Sequence, residues 1–179
     1  MEDSGIAIGL ERGKVLVVPY DPRWPVLFEQ EASLIRDRLG AVACEVAHMG
    51  STAVPGLAAK PVLDILLAIP SLRAPALLHE ALALLDYDHR PLDPLPDRLF
   101  FAKDSAFGRT HNLSVCEPGS KFWSAHLQFR DCLRADPALA QAYATLKHEL
   151  AGRFPNDRIG YTDAKDTFVA NALAASGWT

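Results

Sequence analysis

The segment Val62-Leu63-Asp64-Ile65-Leu66-Leu67-Ala68-Ile69 is apolar at every position except Asp64. A run of this kind predicts a strand covered on both faces. A carboxylate placed there is costly unless it is paired, hydrogen-bonded or holding a cation. The preceding stretch, His48-Met49-Gly50-Ser51-Thr52-Ala53-Val54-Pro55-Gly56-Leu57-Ala58-Ala59-Lys60-Pro61, is loop-like. It supplies glycines at which backbone approaches a ligand, and Ser51, Thr52 and Lys60 as donors. Together the two halves suggest an anion held near an acid that binds a cation. The structural alternative is a buried ion pair of Asp64 with Lys60, Arg98 or His111.

The chain has 179 residues, 49% of them hydrophobic, and no Gly/Ser linker, which predicts one core. We expect an N-terminal flexible arm over residues 1–14, where glycine recurs at 5, 9 and 13, followed by a single domain over 15–179. The net charge of -4 and scattered Lys and Arg argue against general nucleic-acid binding. Cys44, Cys116 and Cys132 lie far apart without metal-ligand spacing, which fits a cytoplasmic protein. No apolar run reaches the roughly 20 residues of a membrane span, so no membrane partner is expected.

Asp21-Pro22 predicts a helix start, with Phe28, Ala32, Ile35 and Leu39 at helical spacing and Gly40 as its stop. Alternation from Val42 to His48 predicts a strand ending beside the Gly50-Ser51 turn, which places His48 at the loop. Leu77 to Leu85 predicts a second helix, and Asp86–Asp97, with Pro91, Pro94 and Pro96, a loop. Arg98–Lys103 and His111–Cys116 predict a hairpin flanking the Asp64 strand. From Ser120 onward the periodicity is helical, with Asp136-Pro137 and Thr162 opening later helices. This order predicts an α+β domain. Tyr161 and Lys165 form a Tyr-x-x-x-Lys pair, set aside because no glycine-rich dinucleotide loop accompanies it.

Tyr20-Asp21-Pro22-Arg23-Trp24-Pro25, His48–Leu57 and Lys60–Ile65, with Pro96–Phe101, Phe129-Arg130-Asp131, Arg153-Phe154-Pro155 and Tyr161–Lys165, closely resemble the GrpB-like family. That family is assigned to the nucleotidyltransferase superfamily. The resemblance implies a polymerase-β-like mixed sheet, with helices packed mainly on one face and a helical C-terminal part. It implies a Gly-Ser turn that holds phosphates and acids on the next strand that hold magnesium. On this reading Asp64 is the Mg2+ ligand and, with His111, catalytic. His48, Gly50, Ser51, Lys60 and Arg98 bind phosphate or substrate, and the partner is a nucleotide or phosphorylated small molecule.

Two departures stand out. The second acid of the usual pair is replaced by Leu66, which cannot ligate a hard cation. The family's His-His-Leu-His pattern reads His111-Asn112-Leu113-Ser114 here. The sequence thus lacks one ligand of a metal-dependent nucleotidyltransferase. The alternative function is a catalytically inactive phosphate-binding or interaction module, linked to coenzyme A metabolism because similar domains occur attached to dephospho-coenzyme A kinase.

Overall fold

A computed structural model describes residues 7–73, 75–91 and 97–178. The chain forms α1 (Trp24–Leu39), β1 (Glu45–Met49), β2 (Leu63–Ala68), α2 (Pro75–Ala83), β3 (Tyr87–His89), β4 (Leu99–Ser105) and β5 (Gly108–Cys116). Four helices follow: α3 (Lys121–Ala135), α4 (Pro137–Arg153), α5 (Arg158–Asp163) and α6 (Asp166–Ala175). The sheet order is β1-β2-β5-β4-β3. Only β2 and β5 run parallel; the other pairs are antiparallel. The α+β mixed sheet expected from the sequence is thus observed.

Strand alternation divides the core. Val46, Leu63, Ile65, Leu67, Leu113 and Val115 face α1 and α2, packing with Trp24, Phe28, Ile35, Leu78 and Leu82. Ala47, Met49, Leu66, Ala68 and Cys116 face the opposite side and meet Phe122 and Trp123 of α3. Asp64 shares the parity of Leu66, so it opens toward the C-terminal helices. Trp24 has no exposed surface, and its indole N–H donates to the carbonyl of Ala7 at 2.9 Å. Trp24→Ala is expected to cost about 3–5 kcal/mol in urea unfolding; a cost below about 1 kcal/mol would mean that the α1 core does not depend on it.

Several local expectations are corrected. Helix α1 begins at Trp24 rather than at Pro22: the Asp21 carboxylate accepts from the backbone N–H of Arg23 at 2.8 Å, making a turn, and Pro25 occupies the first helical turn instead. The strand expected from Val42 begins at Glu45, because Gly40–Val42 continues as a 3-10 turn. Within the expected proline loop, Tyr87–His89 pairs with β4; Pro94 and Pro96 lie outside the described residues. Only β5 of the hairpin flanks the Asp64 strand.

The arm expected over residues 1–14 is docked along its described part. Gly9 N–H donates to Pro61 O at 2.8 Å, Leu10 exchanges backbone bonds with Arg109, and Leu10 is buried. Pairing with the chain beside the Asp64 loop supplies the order that its glycines do not. Residues 1–6 lie outside the described residues.

Candidate phosphate site

The Asp64 carboxylate stands where β1, β2 and β5 meet the loop that follows β1. Met49 is opposite Asp64 on one side and Asn112 is opposite it on the other. Asn112 Nδ2 donates to Asp64 Oδ1 at 2.8 Å. Asn112 Oδ1 in turn accepts from Arg109 at 2.9 Å, and Arg109 donates to Asp104 at 2.7 Å. This chain of bonds fixes the carboxylate in place and leaves its second oxygen turned toward Gly50. Gly50 has φ 71°, and a Cβ there would lie 2.7 Å from Asp64 Oδ2. Only glycine lets the loop pass so close to the acid.

Ser51 follows in a 3-10 turn over Ser51–Ala53. Its Oγ accepts from Lys147 Nζ at 2.8 Å, and the same ammonium donates to the carbonyl of Ala58. Lys147, 2% exposed, thereby ties together the two ends of the loop. Burial, reinforced by the charges of Lys165 and Lys60, brings its pKa down to about 7.

Around the acid positive charge predominates. Lys60, Lys165 and Arg158 are half-buried, and each interacts electrostatically with Asp64. Lys60 and Lys165 place their ammonium groups 5.2 and 4.4 Å from the ring centre of Tyr161, on which both rest. Lys147 lies 4.8 Å from the ring centre of Tyr143. Burial lowers the pKa of all three lysines, that of Lys165 to about 8. Cations brought this close together, with water partly removed, favour an anionic ligand.

Gly50, Ser51, Lys60 and Asp64 of the sequence-predicted set are therefore brought together. Arg98 is on the same face but two residues further along the strand: it donates to Ser114 Oγ at 3.1 Å, opposite Leu66, and stacks on Phe122 at 4.6 Å. His48 and His111 are not in the pocket, which corrects their assignment to it. His48 has the parity of Ile65 across β1 and β2, stacks on Phe28 at 4.5 Å and bonds Thr52 Oγ1 at 2.9 Å. His111 is paired with Leu63 in register and points toward Glu31 and Tyr87, with its Nδ1 bonded to Thr110.

Both histidines are held neutral mainly by burial, His48 at about 3 and His111 at about 4. These values lie below the ordinary value near 6.5, so on acidification the unfolded chain takes up protons before the native one. Their contribution to stability is complete above pH 6.5 and is lost progressively as pH falls toward 4 and then 3. Each should cost about 2 kcal/mol between pH 6.5 and 4.5. His48→Gln, which keeps a partner for Thr52, should flatten the fall in unfolding free energy over that window; an unchanged slope would mean that His48 plays no part in the acid sensitivity.

The donor set does not fit a two-magnesium centre. Leu66, fully buried, takes the place of the second carboxylate, and the facing positions on β5 are the amide Asn112 and the hydroxyl Ser114. One Asp64 oxygen already accepts a hydrogen bond, and three cations surround the group. Among the described residues no three His, Cys, Asp or Glu side chains gather to hold a metal. A hard divalent cation held by this one carboxylate would have to complete its shell with water or with oxygens of a bound ligand.

Sequence reasoning gave no site role to Lys147, Arg158 or Asn112, and set Tyr161 and Lys165 aside. Lys147 carried a signal: it sits four residues after Tyr143 and three before Leu150, on the buried stripe of α4. A charge on an apolar stripe is the same anomaly that singled out Asp64.

A family model described as GrpB protein matches residues 14–175. A UPF0157 protein of Pseudomonas aeruginosa is 42% identical over 163 residues, covering 89% of this chain and 66% of that protein. The glutamate-rich protein GrpB of Alkalihalophilus pseudofirmus is 34% identical over 170 residues, covering 93% of this chain and 98% of that protein. The crystal structure of GrpB from Enterococcus faecalis superposes with a TM-score of 0.83 at 32% identity, covering 90% of this chain and 96% of that one. On these matches and the fold they share, the chain belongs to the GrpB family.

Proposed function

We propose that the pocket around Asp64 binds a nucleotide or another phosphorylated small molecule. One observation carries the reading: Lys60, Lys165 and Arg158 gather around a single carboxylate, beside a Gly50-Ser51 turn whose hydroxyl is held by Lys147. Phosphate is the anion that lysine and arginine recognise through charge-assisted bonds. The nucleotidyltransferase-like arrangement of turn, strand and acid supports a nucleotide in particular. On this reading the pocket itself supplies no complete magnesium site.

Binding is favoured over group transfer by Leu66. Two-metal transfer needs both reacting oxygens clamped, and an isobutyl group at the position of the second ligand supplies no oxygen. Interaction-module and coenzyme A-linked roles remain compatible with the same pocket.

The test is a titration with ATP, GTP, CTP and UTP, followed by thermal unfolding, with adenosine as a phosphate-free control. A ligand at about 100 times its Kd adds about 2.7 kcal/mol to unfolding. At least one nucleotide should raise the melting temperature while adenosine does not, and Lys60→Met should reduce the shift at equal ligand concentration. No stabilisation by any phosphate compound would sink the proposal.

A further inference from the structure

The misfit between this pocket and a two-metal centre points to a specific binding mode, one that rests on the pocket being a phosphate site. We propose that Lys60, Lys165 and Arg158, with the charge of Lys147 behind the Ser51 turn, bind a ligand bearing a pyrophosphate or longer phosphate chain without a divalent metal, the side chains standing where metal ions would otherwise neutralise the phosphates.

Three features lead to this. The first is charge. Lys60, Lys165 and Arg158 act on one carboxylate, Asp64, and Lys147 stands beside Lys60 and Lys165; Asp104 also acts on Arg158 but is already bonded to Arg12, Arg90 and Arg109. When all four are protonated, the excess of about three positive charges is more than a phosphate monoester, at about -1.5 to -2, can balance. A pyrophosphate ester comes closer. Asp166 also acts on Lys165, but it is exposed and well screened by water.

The second is distribution. Lys147 is at the Ser51 end of the loop, while Lys60 and Lys165 share the Tyr161 ring, so the charges are spread over two aromatic supports rather than focused on one point. Contiguous phosphates make use of that spread and a single phosphate does not. The third is the acid itself. Asp64 is restrained by Asn112 and pressed against the Gly50 backbone, with no second carboxylate at Leu66 to complete a cation site. Its role here is to offset part of the charge of Lys60, Lys165 and Arg158 in the absence of ligand.

Divalent metal should then compete with the protein for the phosphates. The experiment is calorimetric titration of the full chain with ATP, ADP, AMP, tripolyphosphate and inorganic phosphate, each in EDTA and again in excess magnesium. ADP, ATP and tripolyphosphate should bind in EDTA at least tenfold more tightly than AMP and inorganic phosphate, and magnesium should leave that affinity equal or weaker. Lys165→Met and Arg158→Gln should each lower the EDTA affinity at least tenfold with the unliganded melting temperature kept, two variants guarding against a folding defect in either. Strong binding by tripolyphosphate would locate recognition in the phosphate chain; a preference for ATP over it would add a contribution from the nucleoside, with the metal-free mode intact. Binding that appears only with magnesium, or AMP binding as tightly as ATP, overturns the metal-free pyrophosphate mode but leaves phosphate binding standing. Absence of binding by every compound in both buffers overturns both.

Discussion

Gly50→Val is expected to abolish phosphate binding and to cost about 3 kcal/mol of stability. Two effects combine. Gly50 has φ 71° and ψ -171°, a region that β-branched residues avoid, and a Cβ there would come within 2.7 Å of Asp64 Oδ2 and 3.1 Å of its Cβ. Neither the β2 backbone nor the loop can yield easily, since β2 is paired on both sides and Lys147 holds Ser51. The Asp64 carboxylate must therefore swing away, breaking its bond from Asn112 and moving the centre around which the cations are arranged.

Gly56→Ala separates the two effects. Gly56 also has positive φ, at 78°, but a Cβ there would meet nothing within 4 Å. That variant should lose only about 1 kcal/mol and keep its affinity for phosphate compounds. Urea unfolding and the same titrations on both variants check this. A Gly50→Val protein that binds as tightly as the wild type would show that the turn does not shape the site.

The sequence made the acid legible because a single carboxylate in an apolar strand demands compensation, and the glycines and serine just upstream pointed to the compensating loop. Leu66 was legible for the same reason of parity: it is two residues on and therefore shares the Asp64 face. The histidines were misplaced for want of register. His48 and His111 are each one step out of phase with the acid, opposite Ile65 and Leu63, and a one-residue difference puts a side chain on the other face of the sheet. Pairing partners are set by the whole fold, so neither strand alone reveals its phase against β2.

The link of Lys165 and Arg158 to the Asp64 site was hidden for another reason. They lie roughly a hundred residues after Asp64, Arg158 opening α5 and Lys165 between α5 and α6, and reach the site only because the C-terminal helices fold back over the Asp64 face. Local periodicity carries no record of that return. Lys147 alone betrayed itself, through its place between Tyr143 and Leu150 on the buried side of α4.

The second large expectation concerns Asp64→Asn. In a metal-dependent site, replacing the ligating carboxylate by an amide removes the ion and with it the nucleotide. In a site where side-chain cations do the binding, the same change removes a negative charge that competes with the phosphates. The fold should tolerate it, because an amide oxygen at position 64 still accepts from Asn112. Lys60, Lys165 and Arg158 would then lose the partner that offsets part of their charge. The pocket becomes more positive by one unit.

The decisive measurement is the affinity of Asp64→Asn for tripolyphosphate in EDTA, compared with the wild type at the same ionic strength. We expect about tenfold tighter binding by the variant, equivalent to about 1.4 kcal/mol. Loss of binding in a variant that retains the wild-type melting temperature would contradict a phosphate site built from protein cations.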